Sequence, residues 1–234
     1  MRVFITGDTH GNFQRIIDFC EREETSKDDL MVVLGDAGIN YYLSKRDQTL
    51  KKSLSELPIT LFCIHGNHEE RPYLIPSYQE VSFCGGMVYQ EPAYPNLLFA
   101  KDGEIYEFLG KSVLVIGGAY SVDKFYRLAR HFSWFPSEQP DETIKKRVEK
   151  KIEEYGKKVD YVWSHTCPIS AQPRHLFLSM IDQSTVDSST EEWLETIAED
   201  LSFDHWYFGH YHGDWTFGKY RMFYHNILEM GEFA

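Results

Sequence analysis

Close to the start of the chain an aspartate and a histidine stand one residue apart, Asp8 and His10, between Gly7 and Gly11. Side chains at i and i+2 of an extended segment point to the same side, so both can reach one point in space. The glycines around them let the backbone turn sharply there. The same plan returns after four later apolar runs, as Gly35-Asp36, Gly66-Asn67-His68, Ser164-His165 and Gly209-His210-Tyr211-His212. Asp8, His10, Asp36, Asn67, His165, His210 and His212 thus form a mixed set of imidazole, carboxylate and amide donors. Such a set suits first-row divalent ions (manganese, iron, cobalt, nickel or zinc) better than calcium. Seven donors are more than one tetrahedral or octahedral ion takes from protein, so they predict two ions sharing a carboxylate. Paired ions about 3.5–4 Å apart hydrolyse phosphoryl esters: they clamp phosphate oxygens, turn a bridging water into hydroxide and offset charge on the leaving side. The leaving group still needs a proton, and His68, adjacent to Asn67, is the candidate general acid.

These groups meet only if the strands before them lie side by side, because the carboxyl ends of strands in an open α/β sheet converge on one crevice. Residues 2–6, 30–34 and 59–64 are apolar runs that predict buried strands. Between them, Phe13, Ile16, Ile17 and Cys20 stand at helical spacing, and residues 44–56 read as a second helix. The order βαβαβ predicts parallel strands with helical crossovers. From about residue 78, short pieces at 81–83, 87–89, 97–99, 104–108 and 112–116 predict an antiparallel meander. Hairpin turns are expected at Asp102-Gly103 and Gly110-Lys111, and the meander is expected to form a second sheet on the first. Helices are predicted over 122–132, 141–155 and 191–201, and strands over 159–163, 205–208, 214–217 and 221–228, the last three again as a meander. The helix at 141–155 should bury a stripe of Ile144, Val148, Ile152 and Tyr155. Its Lys145-Lys146-Arg147 and Lys150-Lys151 runs interleave with glutamates and read as a solvated face. Residues 170–190 read as a long polar loop, a candidate flap over a substrate. No linker divides the chain, so residues 1–234 are expected to form a single domain.

With 36 acidic against 24 basic residues, the net charge of −12 weighs against a nucleic-acid or anionic-membrane surface. It leaves room for an anionic substrate, because bound cations invert the local charge. Cys20, Cys63, Cys84 and Cys167 show no metal-type or paired spacing and read as free thiols. With no signal peptide and no apolar run of membrane-spanning length, a cytoplasmic location is expected. His131, His175, His205 and His225 fall outside the strand-end pattern and read as ordinary core or surface histidines. Tyr41, Tyr42, Trp134 and Phe135 read as packing, with base stacking as the lesser alternative.

The series Asp8-x-His10, Gly35-Asp36, Gly66-Asn67-His68-Glu69, His165, Gly209-His210-x-His212 resembles the calcineurin-like metallophosphoesterase superfamily. All five motifs are present in order over nearly the whole chain. The resemblance implies an α/β fold, a four-layer αββα sandwich of two mixed sheets flanked by helices. It implies one ion on Asp8, His10 and His212, another on Asn67, His165 and His210, and Asp36 as the bridge, with manganese the first choice of metal. By the same resemblance His68 contacts the substrate phosphate and protonates the leaving group; Asn67 and His68 are expected to bind substrate, and so is Arg127, as a candidate outside the matching motifs. The chain departs from the protein-phosphatase branch, where a second aspartate orients the histidine: Ile39 stands there, between Gly38 and Asn40. That branch's phosphate-gripping arginine is replaced by His65, so a bacterial-type member is expected. Lys124, Arg127, Arg130 and Arg71 are the candidates for the missing cation. The expected activity is hydrolysis of a small phosphomonoester or phosphodiester, with no nucleic-acid or membrane partner and the oligomeric state left open. The alternatives are a catalytically weak metal-binding interaction module and a nuclease of the same superfamily.

Overall fold

A computed structural model describes residues 1–231. In chain order its strands are β1 (Val3–Thr6), β2 (Leu30–Val33), β3 (Thr60–Cys63), β4 (Gln79–Phe83), β5 (Gly86–Gln90), β6 (Leu97–Ala100) and β7 (Ile105–Phe108). They continue as β8 (Lys111–Ile116), β9 (Lys158–Ser164), β10 (Ser202–Phe208), β11 (Trp215–Phe217), β12 (Tyr220–Met222) and β13 (Leu228–Glu229). The helices are α1 (Gln14–Glu23), α2 (Lys45–Ser55), α3 (Lys124–Arg130), α4 (Glu142–Tyr155) and α5 (Ser189–Asp200).

The side-chain period of two along each strand builds the layers. Val3, Ile5, Leu30, Val32 and Phe62 point into a layer shared with Val113, Val115, Tyr161, Trp163 and Tyr207 of the second sheet. The alternate residues Phe4, Met31, Val33 and Leu61 meet Ile16, Phe19 and Leu54 of α1 and α2. On the far side, Leu114, Ile116, Val162 and Trp206 meet Ile144 and Val148 of α4 and Trp193 and Leu194 of α5. Helix, sheet, sheet and helix therefore stack in that order, the expected αββα sandwich.

One sheet has the order β13-β1-β2-β3-β6-β5-β4 and the other β11-β12-β10-β9-β8-β7. β1, β2 and β3 are parallel neighbours, as the βαβαβ pattern predicts. The expected second-sheet meander is not formed as one piece. β4, β5 and β6 extend the first sheet, β6 lying parallel to β3, while only β7 and β8 enter the second. β6 is buried along its whole length, so it needs a covered position inside a sheet that an exposed meander does not offer. Asp102-Gly103 accordingly carries the chain between sheets, and the β7–β8 hairpin turns at Leu109-Gly110, one residue earlier than expected. The last strands also divide: β12 runs parallel to β10, and β13 crosses to pair with β1. Tyr155 is half exposed, not part of the α4 stripe, because the helix ends beside it at Gly156 in the left-handed conformation.

The segment 170–188 contains short 3₁₀ turns at Arg174–Leu176 and Gln183–Thr185. Phe177 in it stacks on Tyr211 with ring centroids 6.0 Å apart, beside the His210–His212 segment. No helix among the described residues is long and apolar enough to cross a membrane. β1, β2 and β3 in one sheet and β8, β9 and β10 in the other are parallel, and their carboxyl ends bring the candidate ligands together.

Candidate metal centre

Asp8 and His10 follow β1, Asp36 follows β2, Asn67 and His68 follow β3, His165 follows β9, and His210 and His212 follow β10. Four of these residues turn the chain in the left-handed region: His10 at φ 47°, Asp36 at 48°, His210 at 70° and His212 at 52°. Such a conformation costs a non-glycine residue about 1–3 kcal/mol and persists only where the surroundings impose it. Here they do. His10 N–H donates to Asp36 O at 2.8 Å, His68 N–H to Asp36 Oδ1 at 2.8 Å, and His210 N–H to Asp8 Oδ1 at 3.0 Å. Arg15 Nη2 donates to the carbonyls of Gly7 and Asp8, both at 2.7 Å. Two glycines are required by close approach: a Cβ on Gly35 would stand 2.0 Å from His165 Nδ1, and one on Gly66 2.0 Å from Asp36 Oδ1.

His165 Nδ1–H donates to the carbonyl of Leu34 at 2.8 Å, which leaves a lone pair on Nε2. That lone pair faces Asn67 Oδ1 at 2.8 Å, and His210 Nδ1 approaches the same oxygen at 3.1 Å. The amide is fixed in this sense because Asn67 Nδ2 donates to Ser121 Oγ at 2.8 Å. An acceptor facing an acceptor shares no proton; a cation between them satisfies both. Asp8 Oδ2 supplies a second indication. It is buried and has no hydrogen bond among the described residues, with His212 Nε2 at 3.4 Å and His10 Nε2 at 3.8 Å. Donor atoms gather within 4.8 Å of one another in three sets: Asp8, His10, His212; Asp8, Asp36, His165; and His10, Asp36, His68. Asp8, His10 and Asp36 each serve two sets, so the sets overlap in one centre; His210 falls in none of them and joins it through Asn67 Oδ1. All seven residues named from the sequence come together here, and their donor chemistry fits a divalent transition metal pair.

The electrostatics agree. Burial works against charge on Asp8 and Asp36, yet the imidazoles around them, His212 and His165 for Asp8 and His68 and His165 for Asp36, hold both carboxyls below the usual range. Burial pushes His210 down to about 3, so its ring is neutral and ready to bind metal. Contact with the Asp8 carboxylate raises His212.

His68 stands at the edge of this centre, its Nε2 3.9 Å from Asp36 Oδ2. Arg127 Nη2 lies against His68 Nδ1. The guanidinium is fixed by Asp123 Oδ2 at 2.7 Å, Ser133 O at 3.1 Å and Tyr41 Oη at 3.2 Å. Burial first, then the Arg127 charge, lower the His68 pKa, against the opposing pull of Asp36. Of the four candidate cations only Arg127 makes this contact. Lys124 lies over Trp134, Arg130 over Tyr126, and Arg71 is buried in an ion pair with Asp102. Ile39 is fully buried in the outer core layer. His131, His175, His205 and His225 join no donor set among the described residues. A cavity of 360 Å³ opens beside His10 and His68, with Tyr41 and Tyr42 in its wall, so these two rings are not packing as expected. Trp134 and Phe135 do pack, the first donating to Glu138 and the second 7% exposed.

Glu69 closes the Gly66-Asn67-His68-Glu69 motif, and its residue type and position alone assign it no role. It is fully buried, and its carboxylate accepts from Gly38 N–H at 3.1 Å and Gly66 N–H at 3.2 Å, tying together the loops that carry Asp36 and Asn67. Burial, reinforced by Asp36, pushes it up to about 8. Ser121, which orients Asn67, carries no signal in the sequence beyond its place after Gly117-Gly118.

A model of the calcineurin-like phosphoesterase family matches residues 1–214. The chain belongs to this family. It is a metal-dependent phosphoesterase, and its two mixed sheets flanked by helices are the family's fold. The protein TT1561 of Thermus thermophilus is similar in structure, with a TM-score of 0.52 at 13% identity over 95% of this chain and 88% of that one. The phosphopantetheinyl hydrolase PptH from Mycobacterium tuberculosis aligns with a TM-score of 0.47 at 13% identity, over 94% of this chain and 87% of that one. No curated protein matches.

Proposed function

We propose that residues 1–234 act as one catalytic domain that hydrolyses a small phosphomonoester or phosphodiester. Two divalent ions, manganese in the first instance, would be held by Asp8, His10 and His212 and by Asn67, His165 and His210, with Asp36 between them. The observation that carries this reading is the pair of facing acceptors at His165 Nε2 and Asn67 Oδ1, with His210 Nδ1 beside them and a buried Asp8 Oδ2 that accepts no hydrogen bond among the described residues. When bound, the ions supply a hydroxide nucleophile at neutral pH and hold the charge of the phosphoryl group.

The remaining work falls to side chains around the cavity. Arg127 and His68 share its wall. A phosphate dianion placed there attracts the guanidinium more strongly than a neutral ring does, because charge-assisted hydrogen bonds are the stronger ones. Arg127 Nη2 then moves to a phosphate oxygen, and His68 Nδ1 is released. The anion favours a protonated ring, and His68 passes a proton to the leaving-group oxygen as general acid. Asn67 contributes its amide beside the phosphate. The cavity of 360 Å³ suits a small leaving group, and the charge of −12 disfavours an extended nucleic acid. Four free thiols, three of them buried, suit a reducing compartment, and we place the protein in the cytoplasm.

The test is elemental analysis after loading with manganese, paired with hydrolysis of p-nitrophenyl phosphate and bis-p-nitrophenyl phosphate. Two equivalents of metal with turnover that drops in His68→Ala supports the reading, and the preferred ester separates monoesterase from diesterase. Two equivalents without turnover on either ester would sink it.

A further inference from the structure

The cavity beside the centre has lining residues that the hydrolysis itself does not use. They are Tyr41, Tyr42 and, from the first two turns of α2, Arg46, Asp47 and Leu50. The charged groups around the cavity differ in how far they are committed. Arg127 spends its donors on Asp123, Ser133, Tyr41 and His68. Asp47 is 4% exposed, and its carboxylate is turned inward to accept from Tyr42 N–H at 2.9 Å and Leu43 N–H at 2.7 Å. Arg46 is exposed, and its guanidinium lies over the ring of Tyr42, 3.9 Å from the centroid. It has no carboxylate within ion-pair distance among the described residues. Tyr41 stands edge-on to Tyr42, with centroids 4.6 Å apart, so the two rings give this side of the cavity an aromatic corner.

From this arrangement we infer that the substrate carries a second anionic group, distinct from the phosphoryl group that is cleaved. The inference rests on the phosphoesterase reading above. Arg46 lines the same cavity as His10, His68 and Arg127 but makes no hydrogen bond or ion pair with them or with the candidate ligands among the described residues, so its charge is open to an anion other than the phosphoryl group that is cleaved. A guanidinium already stacked on an aromatic face is held for bidentate recognition of a planar carboxylate or a phosphoryl group, and the fork loses little freedom on binding. The chemical class is therefore a phosphate ester whose leaving portion combines a small apolar or aromatic body with its own anion.

Non-hydrolysable probes test this without turnover. Phenylphosphonate offers one anion and benzene-1,4-diphosphonate two, and calorimetry on the manganese-loaded protein compares them. The diphosphonate is expected to bind about tenfold more tightly, a preference that falls to about unity in Arg46→Ala and survives in part in Arg46→Lys. Equal binding of the two probes by the unaltered protein overturns the inference. So does a preference that persists in Arg46→Ala, since the second anion then sits elsewhere. Parallel rates on phenyl phosphate and 4-phosphonophenyl phosphate separate the two levels of argument. Diphosphonate selectivity without hydrolysis of either ester removes the phosphoesterase reading and keeps the anion site; hydrolysis without selectivity does the reverse.

Discussion

The ring of His68 stands between the Asp36 carboxylate and the Arg127 guanidinium, one charge of each sign. It also falls within one of the donor sets, with His10 and Asp36, so its role as acid has to be separated from a role as ligand. His68→Ala is expected to lower kcat by about 10²–10⁴-fold while the bound metal stays the same. Steady-state kinetics with elemental analysis of the same sample decide this, and loss of an ion alongside the rate would make His68 a ligand. His212 titrates with a definite sign. Its pKa is raised in the metal-free protein by the Asp8 carboxylate. The contact therefore stabilises the metal-free fold at low pH and is lost as pH rises through the raised value. Metal needs the neutral ring, so uptake should tighten as pH rises through the raised His212 value and release protons. Manganese titration by calorimetry in two buffers of different ionisation enthalpy measures both effects.

Among the elements, the parallel βαβαβ order and the placing of donors at strand ends could be read directly, because both rest on local patterns. Apolar runs at 30–34 and 59–64 have no polar alternation and so must be covered on both faces. What could not be read was partnership. Whether β6 joins β3 or a meander, and whether β13 stays beside β12 or crosses to β1, is decided by contacts far apart in sequence. Arg127 meets His68 across 59 residues for the same reason. The glycines before the ligands were legible as turns, but their steric role shows only when the strands assemble. Gly66→Ala would press a methyl group to 2.0 Å from Asp36 Oδ1 and 2.1 Å from Asp36 N. The loop carrying Asn67 has to move away, with an expected loss of about 1–3 kcal/mol in stability and of at least one bound metal ion. Thermal melting and metal content together check this. An Ala variant with full metal would show that the two loops have more slack than their contacts indicate.

For the molecule as a whole, charge holds the chain start to the first sheet. Arg2 Nη2 and Asp29 Oδ2 are 2.8 Å apart, and Asp29 also accepts from the backbone N–H of Arg2 and Ser26. The Arg2 side chain holds the Asp29 carboxyl down to about 2. A lowered folded-state value gives stability that is present above the ordinary carboxylate range and lost as pH falls toward about 2. Asp29→Asn should therefore lower the urea midpoint at pH 7 and leave the acid limit nearly unchanged. Equal midpoints at pH 7 would mean that the exposed Arg2 partner contributes nothing. Metal adds its own term. An ion at about 100 times its Kd stabilises by about 2.7 kcal/mol, which for a chain of this size raises Tm by roughly 5–10 °C. Chelation should reverse that rise in a melting scan.

Helix α3 buries none of its own residues, and Phe125 and Tyr126 on it are 70% and 57% exposed. Yet this helix brings Arg127 to His68. A segment that adds nothing to the core can be exchanged, shortened or rewritten without unfolding the sandwich, provided one cation still arrives at position 127. The candidate ligands thus stand at the ends of the sheets' strands, while one cation beside them rides on a cheaply altered cover. Mutational drift in such a cover can change what surrounds His68 while the residues at the strand ends stay fixed.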